Sequence, residues 1–132
     1  MSMTRERQGP LILVLEEEAL QREAIASYLN EAGFSVLEAE DSDRAMKILK
    51  SRDDLRGFVT DAHVPGRTEG YDLARIVRER WPGMVVVLMS GHSDPSSGPV
   101  PEGAEFVAKP YLLEHLAPTL RRLFEKSDAG QR

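Results

Sequence analysis

Five short apolar runs, separated by segments with helical spacing, constrain the fold of this chain more than any other feature. Leu11–Leu15 and Met84–Met89 are apolar throughout, which is typical of strands buried on both faces of a parallel sheet. Ser35–Ala39, Gly57–Thr60 and Phe106–Ala108 are shorter or mixed runs that also favour strands. Strands that alternate with helices predict an α/β fold, with one parallel sheet, right-handed crossovers and helices on both faces.

The segments between these runs carry signals for helix starts and stops. The first helix is predicted from Glu18 and ends near Gly33, because glycine suits the residue after a helix. Ser42 is predicted to cap the second helix. Tyr71–Arg80 reads as the third helix and ends before Pro82. A last helix is predicted after the fifth strand, and it contains Leu113, Leu116, Leu120 and Leu123.

The connection between the fourth and fifth strands breaks this alternation. Its sequence, SDPSSGPVPEG at 93–103, contains three prolines, two glycines and three serines. Such a composition cannot sustain an ordinary helix. We therefore expect the fourth helix of the alternating pattern to be missing or reduced to a loop at about 93–103.

The composition is that of one soluble domain: 132 residues, 41% hydrophobic and 30% charged. We expect a flexible N-terminus at 1–10, the domain at 11–125 and a flexible C-terminal tail at 126–132. The absence of cysteine excludes disulfides and thiolate metal sites. A net charge of -5 argues against a nucleic-acid-binding surface, and the apolar runs are too short to span a membrane. The default expectation is a cytoplasmic protein.

Polar residues follow the predicted strands at one edge of the sheet. Glu16–Glu18 follow the first strand, and Asp61, Ser90 and Lys109 end or follow the third, fourth and fifth. Clustered carboxylates repel one another, and a hard divalent cation such as Mg²⁺ relieves that repulsion. An aspartate can attack phosphorus as a nucleophile, while a cation, an ammonium and a hydroxyl stabilise the phosphoryl oxygens. The edge therefore predicts a phosphoryl-transfer site.

These motifs resemble the receiver domains of two-component response regulators. The matching pieces are ILVLEEE at 12–18, VTDAHVPG at 59–66, MSG at 89–91 and FVAKP at 106–110, and the resemblance spans about 11–124. Each motif alone is weak, but four in the right order on the right strand ends form a strong signal. The resemblance implies a flavodoxin-like, doubly wound sheet with strand order 2-1-3-4-5. It also implies a histidine kinase or phosphotransfer protein as the phosphoryl donor.

The resemblance assigns the metal site to four residues. Asp61 is the phosphoryl acceptor and a metal ligand, Glu16 and Glu17 are the acidic pair that binds Mg²⁺, and the backbone carbonyl of His63 is the third protein ligand. The second acidic position is usually aspartate in this family. Because glutamate is longer by one methylene and Mg²⁺ demands near-octahedral geometry, Glu17 predicts weaker Mg²⁺ binding.

The resemblance assigns the switch to residues of the fourth and fifth strands. Ser90 matches the hydroxyl that reaches toward the phosphoryl group, Lys109 matches the lysine that pairs with it, and Phe106 matches an aromatic position that changes rotamer on activation. Phe106 can equally be ordinary core. His63 and His92 each follow a site residue by two positions, so they either tune dephosphorylation or are exposed loop histidines.

Three functions are to be distinguished for such a sequence. The first is a stand-alone phosphoacceptor, not a conventional enzyme, that signals through contacts with an unidentified protein target, because the short tail leaves no room for a DNA-binding module. The second is a pseudo-receiver that binds proteins independently of phosphorylation, which Glu17 and the missing helix favour. The third, a nucleotide- or flavin-binding domain or a phosphatase, is disfavoured: EEE replaces a glycine-rich loop, and His63 interrupts an Asp-x-Asp dyad.

Overall fold

The computed structural model describes residues 9–90, 101–108 and 112–130, which form one five-stranded sheet flanked by helices. All strand pairs are parallel, and the strand order is β2-β1-β3-β4-β5, which confirms the predicted fold class and order. The elements in chain order are β1 (Leu11–Leu15), α1 (Ala19–Glu31), β2 (Ser35–Ala39), α2 (Ser42–Ser51), β3 (Leu55–Asp61), α3 (Gly70–Arg80), β4 (Val85–Ser90), β5 (Ala104–Ala108) and α4 (Leu112–Gly130).

The apolar strands are buried on both faces, as their continuous runs predict. Because successive side chains of a strand point to opposite faces, Val14 of β1 packs with Val87 and α1 and α4 residues on one side of the sheet. Leu13 packs with Phe58 and with Leu73 of α3 on the other side. All five side chains are fully buried. This two-sided core fixes β1, β3 and β4 rigidly and thereby fixes the residues that follow them.

The predicted cap of the second helix was wrong. Asp41 is the N-cap, and its carboxylate accepts a hydrogen bond from the backbone N–H of Arg44 at 2.8 Å. Ser42 is the first residue of α2 and is buried. Aspartate and serine are about equally good caps, so the local sequence could not decide between these neighbours. The hydroxyl of Ser42 instead contacts the loop after β3.

The last helix continues to Gly130, well into the stretch at 126–132 that the sequence assigned to a tail. An ion pair accompanies this extension, because Arg56 Nη2 lies 3.5 Å from Asp128 Oδ1. None of the helices in the described ranges is long and apolar enough to cross a membrane.

The predicted loss of the helix between the fourth and fifth strands falls mainly on residues 91–100, which lie outside the described residues. The described end of this connection, 101–103, forms a turn. In this turn the N–H of Ala104 donates to the carbonyl of Pro101 at 3.0 Å, and Gly103 has a φ of +87°. The reduction of the helix therefore stays a prediction for 93–100.

Candidate functional site

Two acidic residues meet where β1 and β3 end. The register of these parallel strands pairs Leu15 with Thr60, so the next residues, Glu16 and Asp61, are neighbours at the carboxyl edge of the sheet. Adjacent strands lie about 4.8 Å apart, so the backbones of the two residues are close together. The strand register therefore brings the backbones of Glu16 and Asp61 to one edge of the sheet, and their predicted roles stay predictions.

The fourth strand ends beside them. Asp61 pairs with Met89 of β4, and Ser90 is the next residue and the last of that strand. The backbone of Ser90 therefore lies at the same edge. Its side chain lies outside the described residues, as do Lys109 and His92. Their predicted roles stay predictions.

The carboxylate of Glu16 is buried, with only 3% of the residue exposed. Its Oε2 accepts a hydrogen bond from the N–H of Glu18 at 3.0 Å, and its own N–H donates to the carbonyl of Ala39 at 3.1 Å. A carboxylate at this depth is costly unless hydrogen bonds or a cation compensate it. Glu17, by contrast, is exposed, so its carboxylate faces solvent beside the buried one.

The acidic loop is held in place by Arg22 of α1. Its Nη1 donates to the backbone carbonyl of Glu16 at 2.9 Å and lies 3.4 Å from the carbonyl of Glu17. Its Nε bonds Glu38 Oε1 of β2 at 3.2 Å, and the Arg22 side chain is 17% exposed. One guanidinium therefore connects the loop that carries Glu16 and Glu17 to β2 at the edge of the sheet.

Asp61 is half-buried, and its Oδ1 accepts a hydrogen bond from the N–H of His63 at 3.3 Å. Its backbone carbonyl accepts a hydrogen bond from the hydroxyl of Thr60 at 2.8 Å. The start of α3 presses against the same carbonyl, because a Cβ built on Gly70 would lie 1.8 Å from it. Only glycine fits at this point, so the first turn of α3 fixes the backbone of Asp61.

The side chains of His63 and Phe106 lie at different depths. His63 is exposed, and its Nδ1 lies 3.5 Å from the Oε1 of Glu69 across the loop. Phe106 is half-buried on β5, where it pairs with Leu88 of β4. The predicted rotamer switch of Phe106 stays a prediction.

No group of three His, Cys, Asp or Glu side chains within 9–90, 101–108 and 112–130 could hold a metal ion by itself. The site does not need one. Mg²⁺ takes one or two carboxylates, completes its shell with water and accepts backbone carbonyls. Glu16 and Asp61 side by side, with the backbone of His63 next to them, offer this donor set. The residues present therefore fit a Mg²⁺ ion.

The strand order and the acidic carboxyl edge define a class of protein: doubly wound α/β domains with acidic residues at the carboxyl ends of their strands. The chain belongs to the response regulator receiver domain family, which matches residues 12–121. Receiver domains are phosphoacceptors rather than conventional enzymes, generally bind Mg²⁺ at this acidic site, and interact with histidine kinases or phosphotransfer proteins.

Relatives and solved structures support this membership. The chain is 31% identical over 118 residues to the hydrogenase transcriptional regulatory protein HoxA of Cupriavidus necator, covering 86% of this chain and 24% of HoxA. A response regulator receiver protein from Sinorhizobium medicae has a TM-score of 0.81 and 29% identity, covering 92% of this chain and 98% of that one. Response regulator TrrA of Thermotoga maritima, solved with Mg²⁺-BeF, has a TM-score of 0.77 and 25% identity, covering 86% and 98%. The chain spans about a quarter of HoxA's length.

Three residues that shape the site were not identified from the sequence: Arg22, Gly70 and Ser42. Arg22 bonds the acidic loop from within α1, and Gly70 admits α3 to the backbone of Asp61. Both contacts join residues close along the chain, but each depends on how a helix packs onto the end of a strand, and no sequence motif specifies that packing. Glycine is acceptable just before a helix, so Gly70 ahead of the predicted Tyr71–Arg80 helix carried no signal of this close approach.

Proposed function

We propose that Asp61 accepts a phosphoryl group from a histidine kinase or a phosphotransfer protein. The observation that carries this proposal is the β1–β3 register, which places Glu16 beside Asp61 at the carboxyl edge of the sheet. The half-burial of Asp61 supports it further, because an attacking carboxylate must be reachable by a large donor.

In the proposed transfer, a carboxylate oxygen of Asp61 attacks the phosphorus atom of the donor's phosphohistidine. The new O–P bond forms as the P–N bond breaks, and the imidazole leaves and takes up a proton. Mg²⁺, when bound, offsets the charge of the carboxylates and of the phosphoryl oxygens. Lys109 and Ser90 would add an ammonium and a hydroxyl to the same oxygens.

The proposed metal ligands are Glu16, Glu17, Asp61 and the backbone carbonyl of His63. Glu17 is exposed and forms no three-carboxylate group with Glu16 and Asp61 in the described part of the chain, so its proposed role requires its side chain to turn toward the site. The extra methylene still lowers the affinity, because Mg²⁺ tolerates little departure from octahedral geometry. In a calorimetric Mg²⁺ titration, Glu17→Asp should therefore bind more tightly than the wild type. An unchanged affinity would contradict a direct geometric role for Glu17.

The proposed output is a change at Ser90 and Phe106 that a target protein reads through direct contact. We propose a cytoplasmic location and no nucleic-acid or membrane partner. HoxA carries a large region beyond the matched segment, so action as a stand-alone receiver stays a prediction. Dephosphorylation is proposed to depend on His63 and His92. The contact between His63 and Glu69 allows the role of His63 to be tested by substituting either residue. Lifetimes of the phosphoform in His63→Ala and Glu69→Ala would measure it.

The experiment is phosphorylation by acetyl phosphate, read as the intact mass. The wild type with Mg²⁺ should gain one phosphoryl group, and the same reaction without Mg²⁺ should not. Asp61→Asn should gain none, whereas Asp72→Asn, an exposed aspartate of α3, should behave as the wild type. A folded wild type that stays unmodified would favour the second candidate, a pseudo-receiver that binds proteins independently of phosphorylation.

A further inference from the structure

Hydrogen bonds hold the loop that follows β3 in place at its two ends. At its near end, the N–H of Ala62 donates to the carbonyl of Met89 at 2.8 Å, and the carbonyl of Ala62 accepts from the N–H of Tyr71 at 3.0 Å. At its far end the loop contacts Ser42, the first residue of α2. His63 lies between these two sets of contacts, so the position of its backbone depends on both.

At the far end, the loop makes three contacts with the buried residue Ser42. Ser42 is 2% exposed, and its N–H donates to the carbonyl of Pro65 at 2.9 Å. Its Oγ accepts a hydrogen bond from the N–H of Thr68 at 3.2 Å. Gly66, at a φ of +118°, lies so close that a Cβ there would be 2.1 Å from this Oγ. The loop is therefore shaped around the hydroxyl.

This arrangement is not ordinary helix capping. Asp41 already caps α2 by accepting from the N–H of Arg44. The N–H of Ser42 is one of the donors that a helix start leaves without an intrahelical partner, and here a loop carbonyl accepts it. The hydroxyl of Ser42 is thus available to the loop. The nearby pair Arg67–Asp43 is 4.0 Å apart and exposed, so it adds little.

We propose that Ser42 is a positioning residue for phosphoryl transfer to Asp61. By bonding Pro65 and Thr68, it keeps the loop close to α2 and holds the backbone carbonyl of His63 beside the acceptor, where the proposed Mg²⁺ binds. Ser42 acts through the loop and touches neither the metal nor the phosphoryl group. This inference rests on the proposed function, because it assigns a role toward that same site.

Two substitutions separate positioning from stability. Ser42→Ala removes the acceptor of the Thr68 N–H, whereas Asp41→Ala removes the neighbouring helix cap and leaves the loop contacts in place. Both should lower the urea midpoint of unfolding. Only Ser42→Ala should also speed amide hydrogen exchange at Thr68 and weaken Mg²⁺ binding, measured by calorimetry without any phosphoryl donor. The expected loss of Mg²⁺ affinity is about tenfold, the low end for outer-shell partners of metal ligands.

A third variant guards against a folding defect in Ser42→Ala. Ser42→Cys keeps a side-chain atom at this position but replaces the hydroxyl oxygen by a larger sulfur that is only a weak acceptor, so its Mg²⁺ affinity should fall between those of serine and alanine. Acetyl phosphate labelling rates, compared at low and at saturating Mg²⁺, should show the Ser42→Ala defect mainly at low Mg²⁺.

The inference is overturned if Ser42→Ala binds Mg²⁺ within twofold of the wild type, or if Asp41→Ala loses as much affinity at equal stability. If the wild type is phosphorylated on Asp61 and Ser42→Ala is phosphorylated and binds Mg²⁺ equally well, this inference alone is refuted. If the wild type neither binds Mg²⁺ nor accepts a phosphoryl group, both the proposed function and the positioning role of Ser42 are refuted.

Discussion

Arg78 of α3 provides the sharpest test of how the fold supports the sheet end opposite Asp61. Its Nη1 donates to the carbonyls of Pro82 and Met84 at 3.0 and 2.9 Å, and its Nε donates to the carbonyl of Glu102 at 3.2 Å. Gly103 packs directly on the guanidinium, since a Cβ there would lie 2.5 Å from its nitrogens. One side chain thus ties together the start of β4 and the turn before β5.

Replacing Arg78 by methionine keeps most of the stem and removes all three hydrogen bonds. Hydrogen bonds to a charged group contribute about 1.5–3 kcal/mol each when buried. Arg78 is half-buried, and the released carbonyls regain water, so we take about 1 kcal/mol for each bond. The free energy of unfolding should therefore fall by about 3 kcal/mol. With a slope of about 2 kcal/mol/M, the urea midpoint should fall by roughly 1.5 M.

The matched control lies on the same helix. Arg75 makes exposed ion pairs with Asp72 at 3.6 Å and Glu79 at 3.8 Å, and such pairs contribute little. Arg75→Met should change the free energy of unfolding by less than about 0.5 kcal/mol. Urea unfolding followed by circular dichroism measures both variants. Equal midpoints for Arg78→Met and Arg75→Met would refute the reasoning, because the three carbonyl contacts would then contribute nothing.

Further predictions concern the edge that carries Asp61. Gly70→Ala should unfold at a lower urea concentration and react more slowly with acetyl phosphate, because its Cβ would overlap the carbonyl of Asp61. A labelling rate equal to that of the wild type would argue against this close approach. Arg22→Met should weaken Mg²⁺ binding by about tenfold through loss of the acidic loop's anchor, while Arg121→Met on α4 serves as the control, and calorimetry compares the two. The Arg22 prediction fails if both variants bind Mg²⁺ equally.

The sheet was predictable because its central strands are local signals. Leu11–Leu15 and Met84–Met89 are uninterrupted apolar runs, and burial on both faces requires that composition. The third and fifth strands are longer than predicted. The exposed Arg56 interrupts the apolar pattern of β3, and β5 begins with Ala104 and Glu105. Strand pairing determined these boundaries, which local composition does not specify.

The candidate site was predictable only in outline. Parallel topology brings the strand ends together, so Glu16 and Asp61 could be placed at one edge from their positions alone. The supporting residues could not be found in this way. Ser42 looked like a helix cap because serine favours that role, whereas its hydroxyl bonds a residue 26 positions away. Contacts of this kind depend on packing between elements and leave no mark in the local sequence.

The most direct test of the central claim is to locate the phosphoryl group after phosphotransfer. Borohydride reduces an aspartyl phosphate to homoserine, so tandem mass spectrometry of the labelled, reduced and digested protein identifies the modified position. We expect homoserine at position 61, dependent on Mg²⁺ and on the phosphoryl donor. Homoserine at another aspartate, or none in a protein that has gained the phosphoryl mass, would contradict the assignment of Asp61 as the acceptor.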